Sequence, residues 1–218
     1  MKVVILAGGF GTRIAEANGP KPMVNIGNKP ILYHIINYYK KFGYNDFIVA
    51  LGYKGDFIKK KFKKYNIKTI YTGINSDIIL RLEKISKYSN NNFLVCYGDT
   101  MLDINLNKYI KFYLKNKKKI LVASYQLKSS FGILDIKKNN DVINFKEKPI
   151  LNIWFNIGYF IFSFDKFHYF KKFNQFQKLL TFLSKNKLMK AYKHTGKHIT
   201  INTVSELEIA KQQINKFN

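Results

Sequence analysis

The chain has 218 residues, 46% of them hydrophobic, and carries 38 Lys and Arg against 13 Asp and Glu for a formal net charge of +25. That length suits one α/β domain with a sizeable core, and that hydrophobic fraction excludes a disordered chain. No apolar run reaches membrane-spanning length, Met1-Lys2-Val3 opens a strand without a small-residue cleavage site, and the single Cys96 excludes an internal disulfide; together these predict a cytoplasmic protein.

A basic balance of this size can mark a nucleic-acid binder. Here the lysines are scattered, as in Lys59-Lys60-Lys61, Lys63-Lys64 and Lys171-Lys172, and they accompany abundant Asn, Ile and Phe. That is the pattern of a biased composition, with lysines on solvated faces. The reading predicts no specific nucleic-acid partner and no membrane partner. The charge would still draw polyphosphates and phosphorylated acceptors to the protein.

Along the chain, residues 3–6 predict a first strand. Pro30 starts and Gly43 stops a helix over 31–42, apolar at helical spacing. A strand at 47–51, a basic amphipathic helix at 57–65, a strand at 68–71 and a helix at 79–88 follow. Residues 93–97 read as an apolar strand in which Cys96 is a packing residue. A helix at 106–116 and a strand at 120–125 continue the rhythm. Short extended segments come next, at 132–136, 142–146 and 155–162. A helix at 179–185, a strand near 198–201 and a helix over 204–217 close the chain. Repeated strand–helix units predict a three-layer α/β fold: a mostly parallel mixed sheet with helices on both faces, the later strands antiparallel or capping the site. No linker or repeat divides residues 1–218, so one domain is expected, with a nucleotide-binding part over about 1–125 and an acceptor-binding part over about 126–218.

The N-terminal strand breaks abruptly into Gly8-Gly9-Phe10-Gly11-Thr12-Arg13, and Lys21-Pro22-Met23 follows. Glycines let backbone N–H groups approach phosphate oxygens closely. Arg13 can fork two phosphate oxygens, and Lys21 supplies a movable point charge suited to phosphoryl chemistry. The pattern is not a Walker loop, because no Lys follows Gly11, nor a dinucleotide fingerprint, because Ile14 stands where the third glycine would be. Gly8, Thr72-Gly73 and Asp99 all follow predicted strands and can converge at one sheet edge. Asp99, after Tyr97-Gly98, suits Mg²⁺, which takes few protein carboxylates and completes its shell with water and phosphate. The histidines show no metal spacing.

The stretch 6–13, Lys21-Pro22-Met23, Gly27-Asn28-Lys29-Pro30, Gly52-Tyr53-Lys54-Gly55, Arg81-Leu82, Tyr97-Gly98-Asp99, Phe131-Gly132 and Glu147-Lys148-Pro149 resemble, in colinear order, the sugar-1-phosphate nucleotidylyltransferases, and among them the glucose-1-phosphate cytidylyltransferases. The resemblance implies a Rossmann-like nucleotidyltransferase fold. It implies transfer of CMP from CTP to a phosphorylated small molecule, with release of pyrophosphate and Mg²⁺ as cofactor, for capsule or other surface polysaccharide precursors. It assigns Arg13 and Lys21 as catalytic, and Leu6, Ala7, Gly8, Gly9, Gly11, Thr12, Thr72, Gly73, Arg81 and Gly98 as nucleotide-binding. Glu147, Lys148 and Asn156 fall on the acceptor side, and Asp99 and Asn202 on the metal.

Two departures qualify the match. The family's second metal aspartate is Asn202 here. Asn202 can coordinate through its carbonyl oxygen, or leave the metal to Asp99 and phosphates, or cap a helix. Where the family has Thr-Gly-Gly before the arginine, this chain has Ile78-Ile79-Leu80, and Ile157 replaces a glycine after Asn156. The nucleotide half is thus intact and the acceptor half altered, so non-sugar phosphates such as phosphorylated glutamine or phosphocholine stay open beside sugar-1-phosphates. Guanylyl transfer, a non-catalytic nucleotide-binding module and a homo-oligomer hidden in the apolar C-terminal third remain alternatives.

Overall fold

Three runs of unbroken apolar character form the middle of the molecule: β1 (Lys2–Ala7), β4 (Phe47–Leu51) and β6 (Phe93–Tyr97). Strands read this way when helices cover both faces of a parallel sheet. Side chains alternate accordingly. Val3, Ile5, Phe47, Val49 and Leu51 enter one apolar core, and Val4, Ile48, Ala50, Phe93 and Val95 enter the other. The structure, a computed structural model, describes residues 1–10, 19–65, 67–116 and 119–217.

The remaining strands are β2 (Asn25–Ile26), β3 (Lys29–Pro30), β5 (Lys68–Tyr71), β7 (Thr100–Leu102), β8 (Ile120–Lys128), β9 (Ile133–Ile136), β10 (Val142–Lys146), β11 (Ile150–Phe162), β12 (Met189–Lys193) and β13 (His198–Thr200). The central sheet runs β12-β8-β11-β6-β1-β4-β5. Only β11 is antiparallel to its neighbours, β6 and β8. The fold is α/β with a mixed, mostly parallel sheet, as the strand–helix alternation predicts.

Helices α1 (Ile31–Lys41), α2 (Gly55–Phe62), α4 (Leu106–Lys115) and α6 (Val204–Gln213) contribute to one core, and α3 (Ile78–Ser86) and α5 (Phe176–Lys185) to the other. In α1 the buried set is Ile31, Leu32, Ile35, Ile36 and Tyr39, one helical stripe against the sheet. Cys96 lies wholly buried in β6, and burial pushes its thiol up to about 12, so it is a packing residue as expected.

Several segments differ from expectation. β11 begins five residues before the predicted 155, because its exposed first half continues the ladder with β8 through Trp154↔Gln126 and Ile150↔Lys128. β12 was not expected at all: Met-Lys-Ala-Tyr-Lys has little apolar alternation, and its pairing with β8 makes it a strand. The closing helix ends at Gln213 and tightens into a 3-10 turn over Ile214–Phe217.

Candidate functional site

A cavity of about 530 Å³ opens where β1 and β6 end. This is the carboxyl edge of the parallel strands, where ligands of such sheets bind. Its walls come from Leu6 to Gly9 after β1, Tyr97 to Asp99 after β6, the Lys21-Pro22 turn, and Ser76 to Ile78 at the start of α3.

Gly8 has no room for a side chain, since a Cβ there would overlap the Arg81 guanidinium. Arg81 is 5% exposed. Its Nε donates to the Ser76 carbonyl, Nη1 to the Leu51 carbonyl and the Thr72 hydroxyl, and Nη2 to the Gly8 and Ile74 carbonyls. A guanidinium has five N–H donors, and here each has an acceptor. Burial lowers the Arg81 pKa, opposed by the charge of Asp77. Arg81 was expected to bind nucleotide; it lines the cavity, and its donors tie the loops after β1, β4 and β5 together. Thr72 is likewise fully buried, donating to the Leu51 carbonyl at 2.7 Å, and neither it nor Gly73 lines the cavity.

Lys21 sits in a 3-10 turn over Lys21–Met23, held by the buried Pro22. Its side chain is 12% exposed. Nζ donates to Asn202 Oδ1 at 2.8 Å and lies 3.6 Å from an Asp99 carboxylate oxygen. Asn202 Nδ2 donates to Thr200 Oγ1 at 3.1 Å, which fixes which amide atom faces the lysine. Asn202 is not a helix cap, contrary to one expectation. Thr203 caps α6, its hydroxyl accepting from the Glu206 N–H, while Glu206 returns to the N–H groups of Asn202 and Thr203.

Among the described residues no group of three or more His, Cys, Asp or Glu could hold a metal. Asp99 alone fits Mg²⁺, which commonly takes one or two carboxylates plus phosphate oxygens and water. Asn202 Oδ1 faces the same point but is engaged by Lys21.

Of Ile78-Ile79-Leu80, which stand where the family has Thr-Gly-Gly, a single side chain reaches the cavity. Helical geometry buries Ile79 in the core and turns Leu80 outward, leaving only Ile78 on the cavity wall. Asp77, the α3 N-cap, accepts from the Ile79 and Phe176 N–H groups. Ser76 and Asp77 were missed as wall residues; the signal available was a polar pair before an apolar helical run.

None of the expected acceptor-side residues lines the cavity, although Asn156 hydrogen-bonds the wall residue Tyr97. Glu147 and Lys148 pair with each other at 3.7 Å, both about 60% exposed, and do not line the cavity. Asn156 accepts from the Gly158 N–H at 2.8 Å and also lies outside the lining. Gly11, Thr12 and Arg13 fall outside the described residues. A second cavity of about 440 Å³ adjoins Asn202 and has Tyr125, Phe155 and His198 on its wall. Burial and the neighbouring His194 push His198 down to about 4.

The model of the family described as Nucleotidyl transferase matches residues 2–200. The chain belongs to that family. Nucleotidyl transferases similar to it include the glucose-1-phosphate cytidylyltransferase of Salmonella typhimurium, 36% identical over 68% of this chain and 69% of that one. The probable glucose-1-phosphate cytidylyltransferase of Bacillus subtilis is 31% identical over 95% of this chain and 93% of that one. The crystal structure of HddC from Yersinia pseudotuberculosis complexed with GMP-PN superimposes with a TM-score of 0.74 at 28% identity, covering 97% of this chain and 98% of that one. No helix among the described residues is long and apolar enough to cross a membrane.

Proposed function

We propose that the protein transfers CMP from CTP to a phosphorylated small molecule, a sugar-1-phosphate or a non-sugar phosphate, releasing pyrophosphate, in the making of capsule or other surface polysaccharide precursors. The observation that carries this reading is the Lys21 ammonium, held between Asp99 and Asn202 beside the Gly8-Gly9 loop. An acceptor phosphate oxygen attacks the α-phosphorus; that P–O bond forms as the bond to the bridging oxygen breaks and pyrophosphate departs. The protein supplies positioning and charge neutralisation. Lys21 neutralises the α-phosphate and the attacking phosphate together. The N–H groups of Gly8 and Gly9 hold phosphate or ribose, with Leu6, Ala7 and Gly98 as walls. Arg13, with Gly11 and Thr12, is assigned to the β- and γ-phosphates, and Glu147, Lys148 and Asn156 to the acceptor. Asp99, with Asn202 when Lys21 turns away, would hold Mg²⁺, which supplies charge neutralisation on the phosphates. A cytoplasmic location fits this chemistry.

Names of two relatives, both glucose-1-phosphate cytidylyltransferases, support CTP and a sugar-1-phosphate. Guanylyl transfer is the second reading, favoured by the GMP-PN in the Yersinia structure. Competition decides: unlabelled CTP should suppress turnover of labelled nucleotide far better than GTP. The reverse order would make the enzyme a guanylyltransferase.

A further inference from the structure

Asp77 lines the cavity as the N-cap of α3, and one of its two carboxylate oxygens is already committed. Oδ1 accepts from the Ile79 N–H at 3.0 Å and from the Phe176 N–H at 2.9 Å. These donors lie in the first turns of α3 and α5, so two helices fix the carboxylate in one orientation. No hydrogen bond from the described residues reaches Oδ2, and no ion pair among them includes Asp77. Arg81 is close enough for its guanidinium to feel the Asp77 charge, yet its five N–H groups all have acceptors elsewhere. In a chain with 38 Lys and Arg against 13 Asp and Glu, this acid meets a ligand cavity rather than a cation.

An open carboxylate oxygen accepts hydrogen bonds and repels phosphate. If the cavity takes a nucleoside triphosphate with its phosphates at Lys21 and Gly8-Gly9, Asp77 meets the base or the ribose, which carry donors. The other polar groups beside it are spent. The Ser76 hydroxyl donates to the Thr72 carbonyl at 2.6 Å, the Ser76 carbonyl accepts from Arg81 Nε, and the Tyr97 hydroxyl is bonded to Asn156. Ile78, the next wall residue, is apolar and suits the face of a ring. Uracil and thymine carry a carbonyl oxygen at position 4 and would meet Oδ2 acceptor against acceptor. Cytosine carries an amine there, the donor that a carboxylate takes. Guanine offers two donors side by side, N1–H and the N2 amine, and matches a carboxylate with both oxygens open; here Oδ1 is occupied.

We propose that Asp77 Oδ2 accepts a hydrogen bond from the 4-amino group of cytosine and thereby selects CTP over UTP. This selection rests on the nucleotidyl-transfer reading, and calorimetric binding of nucleotides in Mg²⁺ without acceptor tells a failure of one from a failure of the other. Wild type should bind CTP at least tenfold more tightly than UTP. Asp77→Asn keeps the cap, since an amide oxygen accepts the same two N–H bonds, and puts an N–H donor in place of Oδ2. Its melting temperature should hold, its CTP affinity should fall about tenfold, and UTP should bind it at least as well as CTP. Equal weakening of CTP and UTP would place Asp77 at the ribose and overturn the proposal. An unchanged preference for CTP over UTP, or tighter binding of GTP than of CTP by wild type, would overturn it too. A probe on wild type covers the case in which Asp77→Asn fails to fold. The triphosphate of the pyrimidin-2-one riboside is CTP without its 4-amino group, and it should bind at least tenfold more weakly than CTP. Equal affinities would overturn the proposal and leave the reaction in place; no binding by any triphosphate would overturn both.

Discussion

Lys21 and Asp99 carry the account at the scale of single residues. Lys21→Ala and Asp99→Ala should each lower kcat/KM by about 10²- to 10³-fold, the size of an electrostatic term in a preorganised site, with little change in thermal stability. Steady-state kinetics beside a melting curve separates the two effects, and a variant at wild-type rate removes its residue from the mechanism. Asn202→Asp acts in the opposite direction. It places a second carboxylate opposite Asp99, so the Mg²⁺ concentration for half-maximal rate should fall, and calorimetric Mg²⁺ binding should tighten. Arg81→Ala should be a stability variant, because five acceptors lose their donor. A loss of about 3 kcal/mol in urea unfolding is expected. His198 has a folded-state pKa near 4 against an ordinary 6.5. The unfolded chain therefore binds the proton first, and this stability contribution is present above pH 6.5 and is lost between 6.5 and about 4 as pH falls. His198→Gln should flatten the fall of the unfolding midpoint across that window.

At the scale of elements, legibility followed periodicity. β1, β4 and β6 were plain because both faces are covered, and α1 was plain because its apolar stripe is bounded by Pro30 and Gly43. β12 and the first half of β11 were not, since partners across the sheet decide them rather than their own pattern. The site divided in the same way. The residues after β1 and β6 line the cavity, where a glycine turn at a strand end leads one to expect them. Arg81 and Thr72 were expected to bind nucleotide; Arg81 lines the cavity and Thr72 is buried outside its lining, and one sequence cannot tell a guanidinium aimed at phosphate from one satisfied by five protein acceptors. Asn202 was read as a metal ligand or a cap, and the structure hands the cap to its neighbour. Thr203→Ala should cost about 1 kcal/mol through the lost capping box, measured by chemical unfolding.

The whole molecule combines a strongly basic composition with a cleft at the carboxyl edge of its parallel strands. The charge is spread over the chain, so it should raise the local concentration of polyphosphates. In the proposed site β1, β6, the Lys21 turn and Asn202, two residues before α6, converge at one edge of the sheet. The most direct test is pyrophosphate release with Mg²⁺ and CTP against glucose-1-phosphate, phosphocholine and phosphorylated glutamine, with GTP in parallel. CTP with one of these acceptors should release pyrophosphate, and Lys21→Ala should slow that release by about 10²- to 10³-fold. Release with GTP alone, or none from any pairing while CTP still binds, would contradict it.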